Sequence, residues 1–303
     1  MILIAAPGQG SQTPGFLAPW LELDGVRDAL GEFGEAAGVD LIAHGTESDA
    51  ETIKSTEIAQ PLIVAAGLVT AAALEIGPNA ATAGHSVGEI TAMAISGILT
   101  DAEAMQLVGV RGSAMAEAAA LVETGMAAVL GGDGEALEER LDELGLHAAN
   151  FNGGGQTVVA GERDALAALV DEPPAKTRII PLQTAGAFHT RFMEPAMATV
   201  RTAAASLDAA DPRLPIYSNN HGDPVASGRE FLDLVVGQIA SPVRWDLCMA
   251  AFVRDGVSGM IELAPGGALA GLAKRGMRGV PVVAVKTPDD LEAARTMLKE
   301  DTA

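Results

Sequence analysis

Cysteine is almost missing from this 303-residue chain, and aromatic rings, basic side chains and long apolar runs are all scarce. The one cysteine, Cys248, cannot close an internal disulfide or build a multi-thiolate metal site, and it points to a reducing, cytoplasmic compartment. Lys+Arg number 19 against Asp+Glu 40, a formal charge of -21. That field repels phosphate backbones and anionic headgroups, so neither nucleic acid nor a membrane surface is an expected partner. The histidines, His44, His85, His147, His189 and His221, are dispersed without ligand spacing, so no metal is expected. The most apolar uncharged stretch, Ile58 to Leu74, falls short of the roughly 20 residues of a membrane helix and is broken by Gln60, Pro61 and Thr70. It reads as a buried helix of a soluble protein. Met1-Ile2-Leu3-Ile4-Ala5 lacks the basic start and long apolar region of an export signal and reads as a first strand.

What the chain does have is apolar bulk: 49% of residues are hydrophobic, enough for a sizeable core. The length suits one large domain with a smaller insertion. Short apolar runs alternate with longer helical segments, which predicts an α/β architecture around a mostly parallel sheet. Strands are expected at Ile2 to Ala6, Ala80 to Ala83, Gly259 to Ala264 and Val280 to Val285, and a Thr100-x-x-Glu103 capping box opens a long helix towards Leu121. Between Gly125 and Gly186 the rhythm changes. Strand Met126 to Leu130, helix Glu135 to Leu144, strands His147 to Phe151 and Thr157 to Ala160 around Gly153-Gly154-Gly155, helix Asp164 to Val170 and strand Arg178 to Leu182 follow one another. That order predicts a split βαβ, ferredoxin-like subdomain at 125–186, inserted into a large domain made of 1–124 and 187–303. No heptad pattern or long apolar stripe is present, so a monomer is expected.

Two loops carry the chemistry. The first, Gly8-x-Gly10-x-x-Thr13, approaches a dinucleotide fingerprint but lacks the third glycine, and Pro14 follows at once. It reads instead as a loop that brings backbone N–H groups close to some other group. The second, Gly84-His85-Ser86-Val87-Gly88, is a nucleophile elbow: a strand-to-helix reversal that needs small flanking residues and exposes the Ser86 hydroxyl. The Val87 N–H, at the start of the following helix, can stabilise a developing oxyanion. An activated serine needs a base. His85 neighbours the serine and points away at such a turn, His147 falls in a strand, His44 in a polar early loop and His221 in a turn. His189, in the loop Gly186-Ala187-Phe188-His189 where the chain returns to the large domain, is the candidate. Arg111 shares a helix face with Ala104, Val108, Met115 and Ala118. An arginine there is either paired with an internal carboxylate or aimed into a cavity awaiting an anionic ligand.

Together these pieces resemble the malonyl-CoA:acyl carrier protein transacylase family and the related acyltransferase domains of polyketide synthases. The resemblance runs through Gly8-Gln9-Gly10-Ser11-Gln12, Gln60-Pro61 opening the buried helix, Gly84-His85-Ser86-Val87-Gly88-Glu89, Arg111, Ala187-Phe188-His189, Gln238, Pro242-Val243-x-Trp245, Glu262-x-x-Pro265-Gly266 and Leu272-x-Lys274-Arg275. It implies an α/β-hydrolase-like large domain, a ping-pong transfer through malonyl-Ser86 with His189 as base, and an oxyanion hole from the N–H groups of Gln9 and Val87. Arg111 would grip the malonyl carboxylate, Gln60 and Phe188 would line the substrate site, and the Gln238 main-chain carbonyl would orient His189. Malonyl-CoA would be substrate, acyl carrier protein the partner, and no cofactor would be bound. The Phe188 ring resembles the malonyl-selecting pattern that excludes an α-methyl branch, so methylmalonyl-CoA is the rival substrate. Because carrier proteins are acidic, a local basic patch must offset the net charge. Lys274, Arg275 and Arg278 are the densest cluster, with Lys176 and Arg178 the second. The competing reading is a serine thioesterase or hydrolase of the α/β-hydrolase type, whose histidine falls near the C-terminus. Here the last histidine is His221, and no HGGG-like segment occurs.

Overall fold

In a computed structural model, which describes residues 1–301, the chain forms two sheets. Strands β1 (Ile2–Ala6), β2 (Ala80–Gly84), β7 (Ile216–Tyr217), β8 (Gly259–Glu262) and β9 (Val282–Ala284) make a parallel sheet in the order β7-β2-β1-β8-β9. Strands β3 (Thr124–Gly131), β4 (His147–Gly153), β5 (Gln156–Glu162) and β6 (Thr177–Leu182) make an antiparallel sheet in the order β4-β5-β3-β6, the split βαβ arrangement.

The central strand β1 is buried along its whole length, as a parallel strand covered on both faces must be. Ile2, Ile4 and Ala6 face one core with the helices Thr56–Leu74, Gly88–Ser96 and Asp101–Ala119. Leu3 and Ala5 face another with the helices Trp245–Arg254 and Ala268–Gly276. In the second sheet the same alternation sends Ala127 and Val129 against that sheet's own helices, while Met126 belongs to the large core. A short exchange ties the sheets together: the Phe151 N–H donates to the Val243 carbonyl, and the Val243 N–H to the Ala149 carbonyl, each at 2.9 Å.

Helix Thr56–Leu74 is long and apolar enough to cross a membrane by composition, yet most of it is buried within the protein. Gln60-Pro61 sits one turn inside this helix rather than opening it. Pro61 lies past the first turn, so its ring leaves one carbonyl of the preceding turn without its helical donor. His44 lies not in a loop but in the helix Leu41–Thr46, capped by Asp40, whose Oδ1 accepts the Ala43 N–H at 3.0 Å. The late strands are shorter than expected. Beyond the last β8–β9 pair the Val285 N–H still bonds the Glu262 carbonyl, and the Gly266 N–H bonds the Val285 carbonyl. The Thr100–Glu103 capping box forms with both reciprocal hydrogen bonds. The helix it opens is buried around most of its girth and not on one face only, because it is packed on several sides by other helices.

Candidate active site

β1 and β2 run side by side in register, so the loops leaving their C-terminal ends, Pro7–Gln12 and His85–Val87, meet at one edge of the sheet. The elbow is dictated by its glycines. A Cβ on Gly84 would lie 1.9 Å from the Gly88 carbonyl carbon, and one on Gly88 would lie 2.2 Å from the Ala6 carbonyl oxygen. Between them Ser86 is held in the left-handed region at φ 53°, which lifts its hydroxyl out of the turn. His189 is likewise left-handed, at φ 61°. Its loop is anchored by the Ala187 N–H on Thr124 Oγ1 at 2.9 Å and by Thr190 Oγ1 on the Ala187 carbonyl at 2.7 Å.

These constraints bring residues more than a hundred positions apart into contact. Ser86 Oγ is 2.7 Å from His189 Nε2, and His189 Nδ1 is 2.8 Å from the Gln238 main-chain carbonyl. The carbonyl can only accept, so Nδ1 carries the proton and Nε2 is left to accept from the serine hydroxyl. Burial first, then the Arg111 charge, push the His189 imidazole down to about 3, so it is neutral at pH 7. The backbone N–H groups of Gln9 and Val87 border the same cleft, and neither is engaged by another protein group among the described residues.

Arg111 is 1% exposed. Its Nη1 donates to Gln60 Oε1 at 2.7 Å, and its Nη2 to Gln238 Oε1 at 3.0 Å and to Ser86 Oγ at 3.4 Å, while Nε has no partner among the described residues. Among the described residues no carboxylate touches the guanidinium directly. Burial lowers it to about 10, against the pull of Glu89, so it stays charged at pH 7. A buried cation held by two amide oxygens and the nucleophile's own hydroxyl is poised to take an anion.

The cleft, about 440 Å³, is shared between the two sheets. Phe188, buried, lines it together with Gln9, Gln60, Met126 and the amides of Asn150, Asn152 and Gln156. Arg275 stands on its wall; Lys274 and Arg278 are exposed nearby in sequence, and Lys176 and Arg178 are exposed at the β6 edge. The helix that carries Lys274 and Arg275 is fixed by Glu262, whose carboxylate accepts the N–H groups of Gly267, Leu269 and Ala270 at 2.7–2.9 Å. Of the other histidines His85 also lines the cleft, its Nε2 on Asn152 Oδ1 at 2.8 Å, whereas His147 Nε2 accepts from Arg191 and His221 Nδ1 accepts the Asp223 N–H away from it.

Sequence reasoning assigned no role to two residues at the centre of the site. Asn219 accepts the Ser86 N–H on Oδ1 and donates Nδ2 to the Gly84 carbonyl, each at 2.8 Å. Buried Glu89 accepts from the Asn219 N–H at 2.6 Å and from Gln238 Nε2. Burial raises its carboxyl to about 8, opposed by the Asn219 N–H, the Arg111 charge and Gln238. The only signal was Glu89's place on the apolar elbow helix, where a carboxyl needs partners.

The fold and site together define an α/β enzyme class in which an elbow serine, a buried neutral histidine and a buried arginine share one cleft. Residues 6–298 match the family described as the acyl transferase domain. Over 297 residues the chain is 47% identical to the malonyl CoA-acyl carrier protein transacylase of Mycobacterium tuberculosis, covering 96% of this chain and 98% of that protein. Its identity to the Bacillus subtilis protein of the same name is 33% over 307 residues, covering 97% and 96%. The crystal structure of MCAT from Mycobacterium tuberculosis matches with a TM-score of 0.95 at 47% identity, covering 97% of this chain and 99% of that one. A type II polyketide synthase acyl-carrier protein in complex with its malonyl-transacylase matches through the latter, with a TM-score of 0.91 at 28% identity, covering 98% and 99%. The chain belongs to the acyl transferase family and is an acyltransferase.

Proposed function

We propose that this acyltransferase moves the malonyl group from malonyl-CoA to the phosphopantetheine thiol of acyl carrier protein, through a malonyl ester on Ser86. The observation that carries the reading is the Arg111 guanidinium at 3.4 Å from the Ser86 hydroxyl, with no carboxylate partner among the described residues. An acyl group bearing a carboxylate one carbon beyond its carbonyl reaches both at once.

In the first half-reaction His189 Nε2 takes the Ser86 proton as Oγ attacks the thioester carbonyl. Its Nδ1–H stays on the Gln238 carbonyl, which orients the ring and supports the transient imidazolium. The N–H groups of Gln9 and Val87 receive the oxyanion. Collapse breaks the C–S bond, and the proton on His189 passes to the departing thiolate. In the second half the pantetheine thiol gives its proton to His189 and attacks the ester, and Ser86 recovers a proton as it leaves. Gln60 and Gln238 hold Arg111 against the substrate carboxylate, and Phe188 narrows the space beside it against an α-methyl branch. Acetyl would leave the cation buried and unpaired, which costs a few kcal/mol or more. No cofactor enters these steps. We place the protein in the cytoplasm, in fatty acid or polyketide synthesis.

Intact-protein mass after brief exposure to malonyl-CoA tests this. A malonyl-sized adduct is expected that is absent in Ser86→Ala and clears on adding phosphopantetheinylated carrier protein. Arg111→Ala should lose malonyl uptake by about 100-fold or more, the worth of a bidentate charged contact, and gain relative preference for acetyl. Hydrolysis of the thioester with no transfer to carrier protein would instead identify a thioesterase.

A further inference from the structure

Gln238 does two different things with two different groups. Its main-chain carbonyl holds His189, while its side-chain carboxamide spans the gap between Arg111 and the elbow. Which end of that carboxamide faces the arginine matters: an oxygen supports the guanidinium, and an NH2 group repels it. The NH2 end meets only acceptors, namely Glu89 Oε2, Asn219 Oδ1 at 3.1 Å and the Ser86 carbonyl at 3.3 Å.

Glu89 gives one oxygen to Gln238 and the other to the Asn219 main-chain N–H at 2.6 Å, whereas Asn219 Oδ1 and the Ser86 carbonyl each already accept another N–H, from Ser86 and from Glu89. Asn219 in turn holds the Ser86 N–H and the Gly84 carbonyl. Glu89 is 1% exposed, in the first turn of the helix that follows the nucleophile. It touches neither Ser86 Oγ nor the guanidinium, so it leaves the arginine's fork free.

We propose that Glu89 is a positioning residue for selection of the acyl carboxylate: by accepting from Gln238 Nε2 it fixes the carboxamide with its oxygen on Arg111, and through Asn219 it locks the same clamp to the nucleophile elbow. This rests on the transfer reading above. An acyl group without a carboxylate does not use the clamp, so Glu89 governs preference between acyl groups more than it governs acylation itself.

Glu89→Gln makes the test sharp because it keeps the shape. The new amide must give its oxygen to the Asn219 N–H, which turns its own NH2 towards the NH2 of Gln238. Two donors then face each other, and Gln238 is driven to flip against Arg111. In the full-length enzyme, initial rates of serine acylation by malonyl-CoA and by acetyl-CoA are compared at saturating and limiting substrate. Glu89→Gln is expected to lower malonyl kcat/KM about tenfold or more, the cost of one buried donor left facing another, while acetyl changes less than about threefold. In an Arg111→Ala background the same substitution is expected to leave the malonyl-to-acetyl ratio unchanged. If Glu89→Gln does not fold, Gln238→Met removes the bridge while keeping the main-chain carbonyl for His189, and it should give the same loss of preference.

A ratio held within about twofold in Glu89→Gln, or in Gln238→Met where that variant stands in, overturns the proposal, and so does an equal fall for both acyl groups, which marks a role in folding only. A full effect in the Arg111→Ala background also overturns it. Failure of the wild-type enzyme to take up malonyl at all is a different result, since it removes the transfer reading itself.

Discussion

Burial of His189 sets a measurable link between stability and pH. The imidazole falls from an ordinary 6.5 to about 3, because folding strips its solvent and places it beside Arg111. A depressed folded value means that the unfolded chain binds the proton first. Stability from this group is therefore complete above pH 6.5 and is lost progressively as the pH falls towards 3. Between pH 7 and pH 5 the loss amounts to about 2 kcal/mol from this histidine alone. His189→Asn removes the titration, and asparagine accepts the left-handed backbone better than other residues. Urea unfolding of both proteins at pH 7, 6 and 5 isolates the effect, because every other group titrates in both. The wild type should lose about 2 kcal/mol more than His189→Asn over that range, a gap easily resolved in the midpoints. Parallel curves for the two proteins would mean that His189 is not held neutral by burial, and the account of a ready general base would fall with it.

Gly88→Ala should cost about 2–4 kcal/mol, or displace the elbow and abolish acylation, because the new Cβ meets the Ala6 and Pro7 carbonyls and neither is a flexible tip. Gly31→Ala, within helix Val26–Ala37 where nothing lies within 4 Å, should instead stabilise by about 0.5–1 kcal/mol; thermal unfolding of the pair reads both. Reversing Lys274 and Arg275 to glutamate should raise the carrier-protein KM several-fold and steepen its fall with salt while sparing malonyl-CoA, and an unchanged KM would remove that helix from the docking rim.

Local signals were legible where the backbone imposes them. The elbow could be read because a turn that tight admits only glycine at two fixed positions, and the Thr100–Glu103 box because capping pairs residues three apart. The change of rhythm after Gly125 exposed the antiparallel sheet, since hairpin turns and period-2 strands are short-range features. His44 was misread because a one-and-a-half-turn helix is too short to show periodicity, and only the Asp40 cap reveals it. The face of Arg111 was legible too: Ala104, Val108, Met115 and Ala118 are all buried beside it. Gln106, Ser113 and Glu117, at helical spacing, mark the exposed side of the same helix.

The sequence by itself determined the class of this protein: an α/β chain with one nucleophile at a strand-to-helix turn, an inserted split βαβ unit, and an arginine out of place among apolar neighbours. Which groups that arginine and that serine would meet was decided only by tertiary structure. Ser86 in the loop after β2, Arg111 inside one helix, Gln238 at the end of another and His189 in the loop after β6 converge only through packing of those elements, which no local spacing records. Glu89 and Asn219 went further out of sight. Their chemistry lies in which end of a buried amide faces which charge, and that is fixed only when every donor and acceptor in the core has found its partner.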